Sequence, residues 1–223
     1  MSFVDEATFT ALVERVAAAD ALNDPVGGAI RPESPERLAA VSPIWDPTRW
    51  ERVEPGQSAA AGDLFAEEYL LHPASGDGPV PLGLYWTGNS ARAYYGLAAA
   101  GQPEDARRAP FMPEDPTIHP SGALGVYEKA LNRGDVDGVL ATLSRNARFR
   151  DPAGRWTEGK DALRDLFTAF KDMDLRLGAN TLIEDGPISV LEITVKSPEP
   201  AIGPGMTFYV TGADGKLESI RVY

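Results

Sequence analysis

The chain repeats part of its own sequence at a spacing of about 125 residues, and this repeat limits the possible folds more than any other feature. Four blocks of the first half, LFAEEYLLHP, LGLYWTG, DPVGG and SPERLAAV, return in the second half as SVLEITVKSP, MTFYVTG, DPAGR and GKDALRDL. The glutamates of the first block, Glu67 and Glu192, are 125 positions apart. The tyrosines of the second block, Tyr85 and Tyr209, are 124 apart, and the two Asp-Pro turns are 127 apart. Because this spacing is nearly constant over the length of a domain, it predicts two related units in tandem.

Composition indicates where one unit ends and the next begins. Residues 106–120 are rich in proline and charged residues, which is typical of a linker. We therefore expect a first unit over residues 1–105 and a second over residues 121–223. The first unit is degenerate, because nothing in it matches the helix that carries Tyr127 in the second.

The second half has a clear pattern of helices and strands. Apolar residues recur at helical spacing in GALGVYEKALN, VDGVLATL and GKDALRDLFTAFKDM. A short strand ends at Asp151, ahead of the third helix, and four more strand candidates follow, separated by turn sequences. This order predicts an α+β fold in which a curved antiparallel sheet wraps a layer of helices.

Charge and composition argue against several classes of function. The chain has 33 acidic and 21 basic residues and a net charge of -12, which disfavours binding to nucleic acid or to an anionic membrane surface. The absence of cysteine excludes disulfides, thiolate catalysis and Cys-based zinc sites. Two histidines, His72 and His119, are too few for a His-based metal cluster. No apolar run approaches the roughly 18 residues of a membrane span, and the acidic N-terminus is unlike a signal peptide, so we expect a cytoplasmic protein.

The segments YEKALNRGDVDGVLATLSRNARFRDPAG and EGKDALRDLF resemble the SnoaL-like and ketosteroid-isomerase-like members of the nuclear transport factor 2-like superfamily. The resemblance covers residues 120–223 and, through the repeat, a degenerate copy in the first half. It implies a cone-shaped α+β barrel with a pocket between the curved sheet and the helices. It does not by itself name a function, because this fold carries isomerases, cyclases, dehydratases, epoxide hydrolases and many non-enzymes.

An apolar strand face ends in a carboxylate at Asp151. Ala147 and Phe149 lie on that face, and Asp151 is its next residue. The resemblance to ketosteroid isomerase implies that Asp151 is the catalytic base and that Tyr127, seven residues before Gly134, donates a hydrogen bond to the substrate oxygen. A carboxylate held against an apolar pocket would gain proton affinity and could remove a proton next to a carbonyl. In the structural alternative, Asp151 forms a turn before proline by bonding backbone N–H groups.

Other candidate residues also have two interpretations. The resemblance also implies a second oxyanion donor, an aspartate on a late strand, but this chain has no acidic residue there. Thr207 takes that place, and Tyr209 lies two residues further along the same face. Glu192 alternates with Leu191, which predicts that Glu192 faces solvent. If the opposite face of the strand were the concave one, Glu192 would be a second carboxylate in the pocket, suited to dehydration or epoxide opening.

Two aromatic residues complete the predicted substrate-binding set, Phe167 on the third helix and Trp156 after the Asp-Pro turn. Both could instead fill the core, as could Tyr127. Asp24 repeats the Asp-Pro turn without a tyrosine partner of the Tyr127 kind, so we interpret it as structural.

The sequence therefore supports two hypotheses. The first is a cofactor-independent and metal-independent proton-transfer enzyme of the isomerase, cyclase or dehydratase type, acting on a small apolar carbonyl or polyketide-like substrate. The second is a non-catalytic module of the same fold that binds a small apolar molecule or another protein. In either case we expect an internal pseudo-dimer, packed sheet against sheet, or a homodimer, and no nucleic acid or membrane partner.

Overall fold

The computed structural model describes residues 6–101, 113–197 and 203–223. The chain forms two compact units, the first comprising Met1–Ala106 with Pro152–Gly154 and Tyr223, the second comprising Arg107–Asp151 and Arg155–Val222. Residues 106–112 of the predicted linker lie outside the described residues. Each unit has its own hydrophobic core.

The described residues of the first unit form two helices and six strands. In chain order they are α1 (Glu6–Ala17), β1 (Ala21–Asp24), β2 (Gly28–Ile30), α2 (Pro35–Val41), β3 (Trp50–Ala61), β4 (Leu64–Pro73), β5 (Val80–Thr87) and β6 (Ser90–Tyr95). Short 3-10 helices at Pro43–Trp45, Pro47–Arg49 and Leu97–Ala100 complete it. The strands form one sheet in the order β2-β1-β6-β5-β4-β3.

In the second unit, the residues that the structure describes form three helices and six strands. They are α3 (Gly122–Asn132), α4 (Val136–Thr142), β7 (Leu143–Arg150), β8 (Trp156–Glu158), α5 (Lys160–Asp172), β9 (Arg176–Asp185), β10 (Ile188–Lys196), β11 (Gly203–Thr211) and β12 (Leu217–Val222). Its sheet has the order β8-β7-β12-β11-β10-β9, which repeats the order of the first sheet strand for strand. The prediction of an α+β tandem is therefore confirmed.

Each sheet is mixed, whereas the sequence pattern predicted a purely antiparallel one. The meander β9–β12 is antiparallel as expected, but β7 pairs in parallel with β12, as β1 does with β6. The early strand of each unit therefore adds one parallel pair to an otherwise antiparallel sheet.

The Gly-Asp pair between α3 and α4 ends one helix and caps the next. Gly134 has a φ of 67°, a left-handed conformation that ends a helix without the steric cost of a Cβ. Asp135 then caps α4, because its Oδ1 accepts a hydrogen bond of 2.9 Å from the Gly138 N–H. These two residues fix the angle between α3 and α4.

The repeat is real, but two of its blocks are aligned one residue away from the structural correspondence. Strands β4 and β10 begin at Leu64 and Ile188, which are 124 positions apart. Glu67 therefore occupies the place of Leu191, a core residue, and Glu68 occupies the place of Glu192.

The tyrosines of the second block do not correspond either. Arg92 pairs across the sheet with Tyr85 and lies 4.9 Å above its ring, while Arg221 pairs with Phe208 and lies 5.8 Å above that ring. Tyr85 thus corresponds to Phe208 and not to Tyr209. A shift of one residue moves every side chain of a strand to the other face of the sheet. The sequence alignment therefore paired residues of the core face with residues of the opposite face.

Candidate functional site

Asp151 lies directly after β7, and its carboxylate is engaged by Arg155. Its Oδ1 accepts a hydrogen bond of 2.9 Å from the Arg155 N–H, and its Oδ2 accepts one of 2.8 Å from Arg155 Nε. The Asp151 N–H in turn donates to the Arg155 carbonyl at 3.0 Å. The side chain is 27% exposed. This geometry is that of a turn-forming aspartate whose charge is balanced by a neighbouring guanidinium.

Tyr127 lies on α3 with its side chain almost fully buried, at 2% exposure. Its ring makes edge contacts with Phe167 and Tyr209, with centroids 6.0 and 5.8 Å apart. Burial raises the pKa of Tyr127 well above its ordinary value, and the neighbouring Tyr209 raises it further. The hydroxyl therefore stays protonated and able to donate a hydrogen bond at neutral pH.

The interior between the helices and the sheet is packed with aromatic rings. Phe149, Phe167 and Phe170 contact one another edge-on at centroid distances of 5.8 to 6.3 Å, and Phe167 continues the contact to Tyr127. Such edge-to-face pairs are a favourable arrangement for buried rings. The predicted substrate-binding residue Phe167 is thus a central member of a packed core.

Thr207 and Tyr209 lie on the same face of β11, as predicted. Both side chains are buried, and Tyr209 belongs to the core. Within the described part of the chain, the Thr207 hydroxyl makes no hydrogen bond of regular geometry, although it interacts with the Tyr209 side chain on the same face. Burial raises the pKa of Tyr209 well above its ordinary value. The place of the missing acidic donor therefore holds a neutral hydroxyl.

Glu192 lies on the face of β10 opposite the core, because Leu191 and Ile193 are core residues. The predicted exposure to solvent is nevertheless wrong, since Glu192 is only 1% exposed. Its Oε2 accepts a hydrogen bond of 2.5 Å from the Thr181 hydroxyl. Strand alternation identified the correct face but could not tell that this face is covered.

The comparisons with known proteins can now be placed beside this geometry. The SnoaL-like domain family matches residues 124–220, which lie within the second unit apart from Pro152–Gly154. The second unit is a SnoaL-like domain. A comparison of the chain with curated proteins finds no match.

Several solved structures resemble a part of this chain that is about the size of one unit. SalBIII, an epoxide hydrolase/cyclase-like enzyme in pyran ring formation in polyether salinomycin, is 22% identical, with a TM-score of 0.41 over 45% of this chain and 86% of its own. An NTF2-like protein of unknown function from Cytophaga hutchinsonii is 18% identical, with a TM-score of 0.40 over 49% of this chain and 93% of its own. RV0760c from Mycobacterium tuberculosis, in complex with estradiol-17beta-hemisuccinate, is 16% identical, with a TM-score of 0.42 over 45% and 89%.

Trp156 of the SnoaL-like domain lies on β8 and is 39% exposed. Arg148 and Arg150 place their guanidinium carbons 4.4 and 5.7 Å from the centre of its ring. These distances are typical of cation–π contacts. Trp156 is therefore a surface ring paired with arginines, and it is separate from the aromatic interior.

The SnoaL-like domain also has a groove that the sequence did not indicate. The groove has a volume of about 690 Å³ and is lined by α4, the start of β7, α5 and the turn before β12. Leu140, Leu143 and Leu163 supply its apolar part. Because four separate segments contribute to it, no local motif could have predicted it.

The first unit holds a buried carboxylate at the position that corresponds to Asp151. Asp24 is fully buried. Its two oxygens accept hydrogen bonds of 2.9 to 3.0 Å from four donors, namely Val26 N, Gly27 N, Trp45 Nε1 and Tyr95 OH. The prediction of a structural turn agrees with the two backbone bonds, but no sequence pattern indicated the two aromatic donors.

Within the part of the chain that the structure describes, no group of three or more His, Cys, Asp or Glu side chains could hold a metal ion. Over the same ranges, no helix is both long and apolar enough to cross a membrane.

Proposed function

We propose that the SnoaL-like domain is a small-molecule-binding module, and that its ligand binds in the groove between α4, α5 and β7. The observation that carries this proposal is the groove itself. Its volume of about 690 Å³ lies within the range of about 300 to 1,000 Å³ that is usual for ligand sites. Leu140, which is partly exposed, would lose contact with water when an apolar group enters, which favours binding.

The engagement of Asp151 supports a non-catalytic role for the interior. A general base must come within hydrogen-bond reach of the proton that it removes. Both carboxylate oxygens of Asp151 already accept hydrogen bonds from Arg155, one from its backbone N–H and one from its guanidinium. Tyr127 is likewise enclosed by packed rings. A substrate would have to displace these contacts before reaching either group.

The experiment fills the groove. Ala141 lines it and is exposed, so Ala141→Trp should occupy the groove without disturbing the core. We would record saturation-transfer NMR spectra of the wild type with a mixture of octyl phosphate, octanoate and 1-octanol. At least one compound should give a signal that Ala141→Trp abolishes. The matched control is Ala169→Trp, an exposed position of α5 outside the groove. Equal signals from wild type and Ala141→Trp, or no signal from any compound, would contradict the proposal.

The second candidate is a cofactor-independent proton-transfer enzyme of the isomerase, cyclase or dehydratase type, acting on a small apolar carbonyl or polyketide-like substrate. The specific observation in its favour is the pair of buried hydroxyls of Thr207 and Tyr209, which lie on one strand face. Together with the Tyr127 hydroxyl they could polarise a carbonyl, with Asp151 as base.

This second candidate has its own test. Incubation with a β,γ-unsaturated ketone should produce the absorbance of the conjugated ketone if the enzyme hypothesis holds. Asp151→Asn should abolish that signal, while Glu158→Gln, an exposed substitution on the neighbouring strand β8, should keep it. Turnover that survives in Asp151→Asn would remove Asp151 from the proposed mechanism.

A further inference from the structure

We infer that the groove of the SnoaL-like domain selects small molecules that carry a phosphate or carboxylate group on a short aliphatic chain. This inference rests on the proposed function and adds the chemical class of the ligand. It depends on the charges around the groove and on the apolar surface beneath them.

The rim of the groove is basic. Four cationic side chains line it against a single carboxylate, and these residues are Arg145, Lys160, Arg164, Lys216 and Asp137. The chain as a whole has the opposite balance, with 33 acidic and 21 basic residues. A local excess of positive charge on an acidic protein would concentrate anions at this place.

Three of the four cations are available to a ligand. Arg164 Nη1 donates to Asp137 Oδ1 at 2.8 Å, and this pair joins α5 to α4. Within the described residues, Arg145, Lys160 and Lys216 take part in no ion pair with an acidic side chain. They come from three different segments, the start of β7, the start of α5 and the turn before β12. An anion between them could therefore be held from several sides.

The start of α5 adds to the same field. Lys160 is the first residue of this helix, and the cap residue Gly159 supplies no side-chain acceptor to its free N–H groups. The positive end of a helix favours a nearby negative charge. This contribution supports the three cations and does not replace them.

The floor explains why the ligand should be more than a bare anion. Leu143 and Leu163 are core residues, and Leu140 packs against that core, so the groove opens onto apolar surface. An aliphatic chain placed there would gain free energy by leaving water. The groove thus combines a site for an anionic head with a site for an apolar tail.

The test measures the contributions of the anionic head and of the aliphatic tail separately. Isothermal titration calorimetry of the full chain would compare octyl phosphate with inorganic phosphate, which lacks the tail, and with 1-octanol, which lacks the charge. Octyl phosphate should bind at least about tenfold more tightly than either, because a hydrogen bond to a charged group typically contributes that much. Its affinity should fall with added salt, whereas that of 1-octanol should not.

Variants identify the cations. Arg145→Gln combined with Lys216→Gln should weaken binding of octyl phosphate about tenfold or more and leave 1-octanol unchanged. The matched control is Lys171→Gln, an exposed lysine at the other end of α5. An equal loss in the control, or none in the double variant, would overturn the inference.

The outcomes also distinguish this inference from the proposed function. If 1-octanol binds as tightly as octyl phosphate, the groove binds small molecules without selecting anions, and only the inference fails. If no compound binds, both fail. If the protein sediments with vesicles containing phosphatidic acid but does not bind octyl phosphate, the ligand is a membrane surface and the inference is overturned.

Discussion

The buried carboxylate of the first unit leads to the strongest prediction about stability. Asp24→Ala should destabilise the first unit by about 4 kcal/mol, because it removes the acceptor of four hydrogen bonds. Asp151→Ala is the matched control, since it changes the corresponding residue of the second unit. The control should cost about 1 kcal/mol.

The magnitude follows from what each donor can do afterwards. Trp45 is fully buried, so its Nε1–H would be left without an acceptor at a cost of about 1 to 3 kcal/mol. Tyr95 would keep its 2.9 Å contact with the Ser42 hydroxyl, and its loss is smaller. The Gly27 N–H, in an exposed residue, and the half-buried Val26 N–H can turn to water, at about 0.5 to 1.5 kcal/mol each. The Arg155 side chain beside Asp151 is 74% exposed, which is why the control is mild.

Urea unfolding followed by tryptophan fluorescence and circular dichroism would measure both variants. An unchanged denaturant slope would show that the variant changes stability and not the denatured state. Asp24→Asn keeps one acceptor oxygen and should fall between wild type and Asp24→Ala. The reasoning is refuted if Asp24→Ala costs no more than Asp151→Ala.

Four further outcomes follow from the second unit and from the tandem. Asp151→Asn should leave stability and octyl phosphate binding unchanged by unfolding and calorimetry; a large loss of binding would connect Asp151 to the ligand. Burial raises the pKa of Tyr127 above 10.0, so the folded state keeps a proton that the unfolded chain releases. Stability should therefore fall as the pH rises beyond about 10, and less steeply in Tyr127→Phe. Burial also raises the pKa of Glu128 above 4.5, so its charged form destabilises the folded state at pH 7. Glu128→Gln should therefore increase the free energy of unfolding at pH 7, by less than about 1 kcal/mol because the residue is only half-buried. This gain should vanish below pH 4.5. Light scattering should give the mass of one chain, because two units in one chain can replace a homodimer.

The tandem could be predicted because it depends on the spacing of whole blocks, which survives small errors of alignment. The faces of the strands could not, because they depend on single residues. Glu67 was matched with Glu192, yet Glu67 shares the core side of its strand and Glu192 lies on the other face. An alignment error of one position is harmless for topology and reverses every statement about which side chain points inward.

The helix boundaries of the second unit were predictable for a local reason. The Gly-Asp pair ends one helix and caps the next through contacts within four residues. The basic groove is the opposite case. Arg145 and Lys216 are 71 positions apart, and only the completed fold brings both to one rim. Sequence patterns report local geometry well and long-range assembly poorly.

The two Asp-Pro turns show why a motif cannot assign a role to its aspartate. Asp24 is paired across its turn with Gly28, and Asp151 bonds the backbone of Arg155 four residues ahead, so the two turns have the same span. Arg155 brings a guanidinium to Asp151 and holds its carboxylate at the surface. Gly28 has no side chain to offer, and the carboxylate of Asp24 instead accepts the buried Trp45 and Tyr95 donors. The two turns thus differ in the residue opposite the aspartate, which is Arg155 in one and Gly28 in the other. With Arg155 the carboxylate forms a solvated ion pair, and with Gly28 it joins a buried hydrogen-bond network, so the two carboxylates are suited to different chemistry.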